Sequence, residues 1–171
     1  TKREARAPSD PIAIGSLPTG ESFNDPVKNK MHAIMDAEKE MYDGGIVAVG
    51  DIGNTADTAD IKSRSNIRWQ NFVEVLSFTD EKAEENIEQY KKIATQFETD
   101  HGPWTMDHRT SIVPHAPYSI SPKTFSLINE LTKNQIISIH NQEHPAEDEL
   151  YKTGGGDYLK LFKIFGLNES P

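Results

Sequence analysis

The sequence predicts an α/β fold with a parallel sheet, either a small open sheet or part of a (β/α)8 barrel of the TIM type. Short apolar runs rich in β-branched residues alternate along the chain with amphipathic stretches whose apolar residues recur every three or four positions. Alternation of this kind is typical of parallel strands joined by right-handed helical crossovers. A complete barrel typically needs about 250 residues. The 171 residues of this chain therefore predict only part of one.

Residues 1–25 differ in composition from the rest of the chain. They show little periodicity and contain four residues that break regular structure, Pro8, Pro11, Pro18 and Gly20. We expect an irregular arm or loop there, followed by one partial-barrel domain over residues 26–171.

Four apolar runs are predicted as strands, at residues 46–49, 67–76, 111–114 and 136–139. Five amphipathic stretches are predicted as helices, at residues 25–44, 79–98, 121–131, 145–151 and 157–165. Residues 54–66 are predicted as a loop or a short helix. The first run, Ile46-Val47-Ala48-Val49, is continuously apolar, which favours a strand buried on both faces.

Composition and charge exclude several classes of partner and site. The net charge of −9 argues against nucleic acid or an anionic membrane as a partner. The chain has no cysteine, so any metal must use histidine and carboxylate ligands. No apolar run reaches the roughly 18 residues of a membrane span, and no signal peptide is apparent, which indicates the cytoplasm. The chain begins at Thr1 rather than Met, as expected of a processed chain or a piece of a longer protein.

Polar groups follow the predicted strands where parallel α/β folds place their ligands. These groups are Asp51, His115, His140 and Glu143. His140 could ligate zinc, and Glu143, three residues later, could move a proton of a water activated by that metal. Spacing alone nevertheless favours structural histidines bonded to neighbouring groups, for His115 as well as for His140.

Other candidate residues leave alternatives open. Glu74 lies inside an apolar run, so it must either pair with another group or face the barrel interior, where a functional role is equally open. Four further histidines and one glutamate are expected to be solvated: His32, His101, His108, His144 and Glu147. The glycines at 154–156 lack the Lys-Ser/Thr that follows a phosphate-binding loop, which argues against a nucleotide site.

Four segments together resemble a known family of enzymes. They are GIVAVGDIGN at 45–54, NFVEV at 71–75, PHAPYS at 114–119 and ISIHNQE at 137–143. In this order and spacing they resemble the metal-dependent amidohydrolase superfamily. Within that superfamily, they are most similar to the branch of chlorohydrolases, cytosine deaminases and adenosine-type deaminases. The similarity covers roughly residues 30–156.

The resemblance implies a role for three residues. His140 resembles the metal-ligand histidine at the end of the fifth barrel strand, and His115 resembles a substrate-contacting histidine after the fourth. Glu143 resembles the acid that carries a proton from the metal-activated water to the leaving nitrogen. The implied chemistry is hydrolytic cleavage of C–N bonds, or a related displacement, with zinc or iron as the metal.

The sequence also departs from the family. It contains no His-x-His pair, which the family carries after its first strand, and it ends at Pro171, before the family's late histidine and aspartate could occur. The chain is therefore expected to be an internal fragment covering barrel strands two to five. One histidine and one carboxylate cannot complete a catalytic zinc site that normally has three protein ligands. We expect the isolated chain to be inactive and to bind metal weakly or not at all.

Two other hypotheses remain open at this point. The chain could be a non-catalytic α/β module used for binding or as a scaffold. Alternatively, its six histidines and 27 acidic residues could form only an adventitious metal-binding surface. A partial barrel would also expose sheet edges and strand faces, which predicts self-association through those edges or partial disorder.

Overall fold

The computed structural model describes residues 26–98 and 109–167. The predicted arm at 1–25, together with His101 and His108, lies outside these residues. The described helices are α1 (Pro26–Asp43), α2 (Ala59–Arg64), α3 (Ala83–Phe97), α4 (Pro122–Leu131), α5 (Pro145–Thr153) and α6 (Asp157–Ile164). The strands are β1 (Ala48–Ile52), β2 (Arg68–Val75) and β3 (Arg109–Pro114). Short 3₁₀ turns at Asp80–Lys82 and Pro117–Ser119 precede α3 and α4.

The three strands form one parallel sheet in the order β1-β2-β3. Asp51 of β1 lies opposite Asn71 of β2, and Val73 of β2 lies opposite Ile112 of β3. Helices connect the strands, as the alternation of patterns predicts. The α/β class is thereby confirmed, and the sheet is consistent with part of a TIM-type fold.

The first strand differs from its prediction. It spans Ala48–Ile52 rather than residues 46–49, and its residues alternate between exposed and half-buried instead of being buried on both faces. The reason lies in the sheet order, because β1 pairs with β2 on one side and forms an edge. A continuous apolar run does not by itself distinguish an edge strand from a central one.

The fourth predicted strand is wrong. Residues 136–140 adopt no regular secondary structure, although the His140 N–H donates to the His115 carbonyl at 2.8 Å. Ile136, Ile137 and Ile139 are 58%, 47% and 40% exposed. Strand propensity describes how well a side chain fits a half-buried pleated surface, and the three isoleucines of this run are not covered in that way.

The main core lies between the sheet and helices α3 and α4. Its buried residues come from β2 and β3 (Val73, Val75, Ile112), from α3 (Ile87, Ala94, Phe97), and from Ile120 and Ile128. The apolar stripe of α3 therefore buries one face of that helix, as predicted. In α4 only Ile128 of the predicted inner face is buried, whereas Phe125 and Leu131 are 44% and 39% exposed. This packing holds the strands so that their carboxyl ends share one edge.

A buried polar network clamps the loops that leave β2 and β3. Ser121 donates its N–H to the Ser77 carbonyl at 2.7 Å, and Ser77 donates its own N–H to the Ser119 carbonyl at 3.0 Å. The Ser77 hydroxyl accepts from Thr124 Oγ1 and from Asn86 Nδ2, both at 2.9 Å. The network ties the loops to α3 and α4, directly beside the carboxyl edge of the sheet.

Among the described residues, no helix combines the length and apolar character needed to cross a membrane.

A histidine and carboxylate cluster at the carboxyl edge of the sheet

Three potential metal ligands converge at the carboxyl edge of the sheet. Glu74, His115 and His140 each offer one ligand atom, and these atoms all lie within 4.8 Å of one another. Glu74 is the penultimate residue of β2, and His115 directly follows β3. His140 ends the irregular run that was predicted as a strand. Its backbone bond to His115 brings it to this edge without a strand.

Glu74 points away from the main core. Val73 and Val75 pack against α3, and side chains alternate along a strand, so Glu74 projects from the opposite face of the sheet. The residue is only 5% exposed, and its Oε1 lies 2.8 Å from His140 Nε2. The sequence left structural pairing and a functional role equally open, and the structure shows that Glu74 is paired with a histidine.

His115 is held in place on both its backbone and its ring. Its N–H donates to the Val75 carbonyl at 3.1 Å, and its Nδ1 lies 2.8 Å from the hydroxyl of buried Ser119. The Ser119 hydroxyl also bonds to the Ala116 carbonyl at 3.0 Å. Because Nδ1 is bonded to Ser119, Nε2 is the ring nitrogen that remains available to bind a metal or a substrate. The centroid of the His115 ring lies 5.3 Å from that of His140.

Glu143 stands beside the cluster and is held by Tyr118. The Tyr118 hydroxyl donates to Glu143 Oε1, and the Tyr118 ring packs edge-on against His115, with 5.9 Å between centroids. Burial, and then the hydrogen bond to Glu143, raise the pKa of Tyr118 far above its usual value, so the phenol keeps its proton. The structure therefore groups His115 with His140, and links Glu143 to His115 through Tyr118.

Glu147 departs from its prediction. It is buried rather than solvated, and its Oε2 accepts the Glu143 backbone N–H at 3.1 Å. Because α5 begins at Pro145, the first turn of the helix carries Glu147 inward beneath Glu143. His144 is exposed as predicted, but its Nδ1 caps α5 by accepting the Ala146 N–H at 3.1 Å. His32 is exposed.

Tyr118 and Ser119 were missed as site residues, although both lie in the PHAPYS segment. The sequence signal that could have identified them is that both are polar residues only a few positions after the end of β3. Sequence spacing could not show that the short turn at Pro117–Ser119 folds both side chains back towards His115 and Glu143.

Asp51 does not join the cluster. It projects towards the helices and pairs with Lys62 of α2 at 2.5 Å, and Lys62 also donates to Asn71 Oδ1 at 2.7 Å. The ammonium of Lys62 lies 4.9 Å from the Trp69 ring centroid and 5.0 Å from that of Phe97. Burial lowers the pKa of Lys62, while the Asp51 carboxylate acts in the opposite direction. This pair of a buried lysine and a partly exposed aspartate is a structural element between the sheet and the helices.

No protein-family model and no curated protein sequence matches the chain. Among solved structures, the fold is similar to that of Helicobacter pylori aminofutalosine deaminase in complex with methylthio-coformycin, with a TM-score of 0.66 and 21% sequence identity. The similarity covers 78% of this chain and 32% of the deaminase, so this chain matches about a third of that protein's length. At 21% sequence identity, the similarity shows only that the two folds are alike.

Proposed function

We propose that this chain is part of a metal-dependent hydrolase that acts on C–N bonds, of the amidohydrolase superfamily. The observation that carries the proposal is that His140 and His115 lie together at the carboxyl edge of a parallel sheet, where such folds place their active sites, and that Tyr118 links Glu143 to His115. The fold likeness to a deaminase supports the same reaction class.

His140 is the proposed metal ligand of the parent enzyme. Imidazole nitrogen and carboxylate oxygen are donors that zinc and iron accept in proteins, and the buried carboxylate of Glu74 beside His140 favours a cation there. When bound, the metal supplies Lewis acidity that activates water. The expected metal is zinc, with iron as the alternative.

Glu143 is the proposed proton shuttle. Tyr118 donates to its Oε1, which fixes the carboxylate and leaves Oε2 to take a proton from the attacking water and pass it to the leaving nitrogen. The bond from the Glu143 N–H to buried Glu147 fixes the backbone at the same point. Glu143 itself is exposed to solvent, so these two contacts are what hold its carboxylate in place.

His115 is the proposed substrate contact. Its ring is fixed by Ser119 through Nδ1, so its Nε2 has a defined direction and can bond a heteroatom of the substrate. We expect the substrate to be a small molecule that carries the scissile C–N bond. The acidic net charge disfavours nucleic acid and membrane surfaces as partners, and the cytoplasm remains the expected location.

The isolated chain is proposed to be catalytically inactive. The sequence contains no His-x-His pair, so the ligand set that the resemblance implies for the working enzyme is incomplete here. Activity is therefore expected only in a longer protein that supplies those ligands.

The test uses the longer protein, screened for ammonia release from a panel of amino-substituted heterocycles. Glu143→Gln should lower kcat by about 100-fold or more, because general acid–base catalysis typically contributes that much, while metal content is retained. Glu130→Gln, in an exposed pair with Lys133 on α4, is the matched control and should leave kcat unchanged. A parent protein without metal, or full activity of the Glu143→Gln enzyme, would contradict the proposal.

One observation favours a second candidate, a non-catalytic α/β binding or scaffold module. The contact between Glu74 and His140 gives the buried carboxylate a hydrogen-bond partner without a metal, as in a purely structural pair. The coding sequence around this chain discriminates between the two. An upstream His-x-His and a downstream Gly-Thr-Asp support the hydrolase, and their absence from the full-length protein supports the module.

A further inference from the structure

We infer that Glu74, His115 and His140 form a divalent-metal site that this chain builds by itself, with His115 acting as a ligand. The set differs from the one that the resemblance implies, in which only His140 is a ligand and His115 contacts the substrate. The inference concerns the 171-residue chain by itself, in which no His-x-His pair supplies further metal ligands, whereas the substrate role proposed for His115 concerns the longer enzyme. It does not depend on the proposed hydrolase activity.

The spacing of the three donors suits a small divalent cation. Zinc–nitrogen and zinc–oxygen bonds of about 2.1 Å place tetrahedral ligand atoms about 3.4 Å apart. The ligand atoms here lie within 4.8 Å of one another, so no separation needs to change by more than about 1.4 Å. Rotation of the half-buried His140 imidazole can supply much of that movement while Ser119 holds the His115 ring, and the 2.8 Å contact between Glu74 and His140 lengthens.

The charge at the site also favours a cation. Glu74 is more than nine-tenths buried, and a carboxylate removed from water needs a compensating positive group. The contact with His140 Nε2 offers it a single hydrogen-bond partner. A divalent ion compensates the charge more fully, and binds the two imidazoles at the same time.

The surroundings of His115 match those of histidines that bind metals. Such histidines almost always bond a fixed neighbouring group through their second ring nitrogen. His115 does so through Nδ1 to Ser119, whose hydroxyl is itself held by the Ala116 backbone. The backbone bond from His140 to His115 links the two histidine ligands directly and limits their relative movement.

Two imidazoles and one carboxylate make a three-ligand set with room for a further ligand. This composition is found in zinc sites with an open position and in sites for ferrous iron. The chain would therefore bind one zinc or ferrous ion, contrary to the sequence-based expectation of weak binding or none.

The test is metal binding by the whole 171-residue chain, stripped with a chelator and titrated with Zn²⁺ against a chromophoric chelator. Co²⁺ in place of Zn²⁺ reports ligand number and geometry through its visible spectrum. We expect one equivalent per chain, and a Kd raised at least tenfold by each of Glu74→Gln, His115→Ala and His140→Ala. Ser119→Ala should weaken binding by a smaller factor, because it acts only through the orientation of His115.

The controls are His32→Ala and His144→Ala, which remove exposed histidines outside the cluster and should leave the Kd unchanged. Circular dichroism of each variant checks folding, and Glu74→Gln, which keeps the size of the side chain, remains informative if a histidine variant unfolds. A metal-dependent rise in Tm should occur in the wild type and the two controls, and should be lost in Glu74→Gln.

The outcomes separate this inference from the proposed function. If His140→Ala abolishes binding while Glu74→Gln and His115→Ala bind normally, the inference is wrong and His140 stands as a ligand. If several equivalents bind with equal affinity to all variants, or the wild type binds none, the inference is also overturned. Specific binding by all three residues, combined with an active Glu143→Gln parent enzyme, would overturn only the hydrolase mechanism.

Discussion

Glu74 carries the strongest functional signal of any single residue in the described chain. A carboxylate inside an apolar strand is unstable unless it is paired, and its partner is a histidine that the resemblance independently marks as a metal ligand. The pair lies within reach of a second histidine. The buried Glu74 carboxyl group thus marks the two histidines that lie close to it at the edge of the sheet.

Tyr118 leads to a prediction about pH. The pKa of its hydroxyl is raised in the folded chain, chiefly by burial, so its stabilising contribution is present below the unfolded value of about 10 and is lost as the pH rises above it. We expect the free energy of unfolding of the wild type to fall more steeply above about pH 10 than that of Tyr118→Phe. Urea denaturation at a series of pH values measures both slopes.

The other tyrosines and the lysines, Lys62 and Tyr151 among them, are shared by both proteins, so only the difference between the slopes is assigned to Tyr118. Tyr42→Phe, at an exposed position on α1, should keep the wild-type slope. Equal slopes for the wild type and Tyr118→Phe would show that the hydroxyl titrates normally.

Lys62 leads to a prediction about stability. Lys62→Met removes the donor to the buried Asn71 amide oxygen, and an unsatisfied buried polar group costs about 1–3 kcal/mol. Asp51, the other partner, is partly exposed and can be hydrated instead. We expect a loss of about 1–3 kcal/mol in the free energy of unfolding, measured with urea.

The matched control for this change is Lys39→Met, which removes one partner of an exposed pair with Asp43 on α1. Exposed pairs contribute little, so its stability should equal that of the wild type. A Lys62→Met protein as stable as this control would mean that water replaces the lost donor.

Among the secondary-structure elements, the starts of helices α1 and α4 are the features that the sequence predicts best. α1 begins at Pro26 and α4 at Pro122, each with proline in the first turn, where its missing N–H is harmless. At α4 the Ser121 hydroxyl also accepts the Thr124 N–H at 3.3 Å, as a helix cap does.

Ser121→Ala should therefore destabilise the chain by about 1–2 kcal/mol, the upper part of the range for a lost cap, because Ser121 Oγ also contacts Thr124 Oγ1 in the buried network. Thermal and urea unfolding measure the change. Ser63→Ala, which removes a hydroxyl bonded to the Asp60 carbonyl near the surface, is the control and should have a smaller effect. Equal effects would show that the Ser121 cap contributes nothing specific.

Strands were harder to predict than helices from the same kind of pattern. The run 67–76 became β2 and the run 111–114 became part of β3, but the run 136–139 formed no strand. All three runs contain β-branched apolar residues. A strand needs a neighbour that supplies a hydrogen-bond ladder and a covered face, and neither is encoded within the run itself.

At the scale of the whole molecule, the described residues 26–98 and 109–167 expose apolar groups at both sides of the sheet. Ile52 lies on the β1 edge, and Ile136, Ile137 and Ile139 lie on the uncovered run near β3. Exposed edges and apolar patches of this kind pair with other chains. We propose that the isolated chain self-associates through these surfaces.

Light scattering coupled to size exclusion should therefore give a mass above the 19.2 kDa of one chain, rising with concentration. The double variant Ile136→Lys/Ile139→Lys should shift the chain towards the monomer, because charges on an apolar edge oppose pairing. Ile164→Lys, at an exposed position on α6, should not. A rigid, well-folded monomer at every concentration would contradict self-association.

The sequence by itself determined the α/β class, the helices and the residues able to carry chemistry, because helical hydrogen bonds and apolar stripes are formed within one segment. The tertiary structure alone decided that β1 is an edge, that residues 136–139 form no strand, and that Glu147 and Lys62 are buried. It also brought together Glu74, His115 and His140, which come from three separate segments. Contacts between distant segments depend on packing of the whole chain, and no local pattern specifies them.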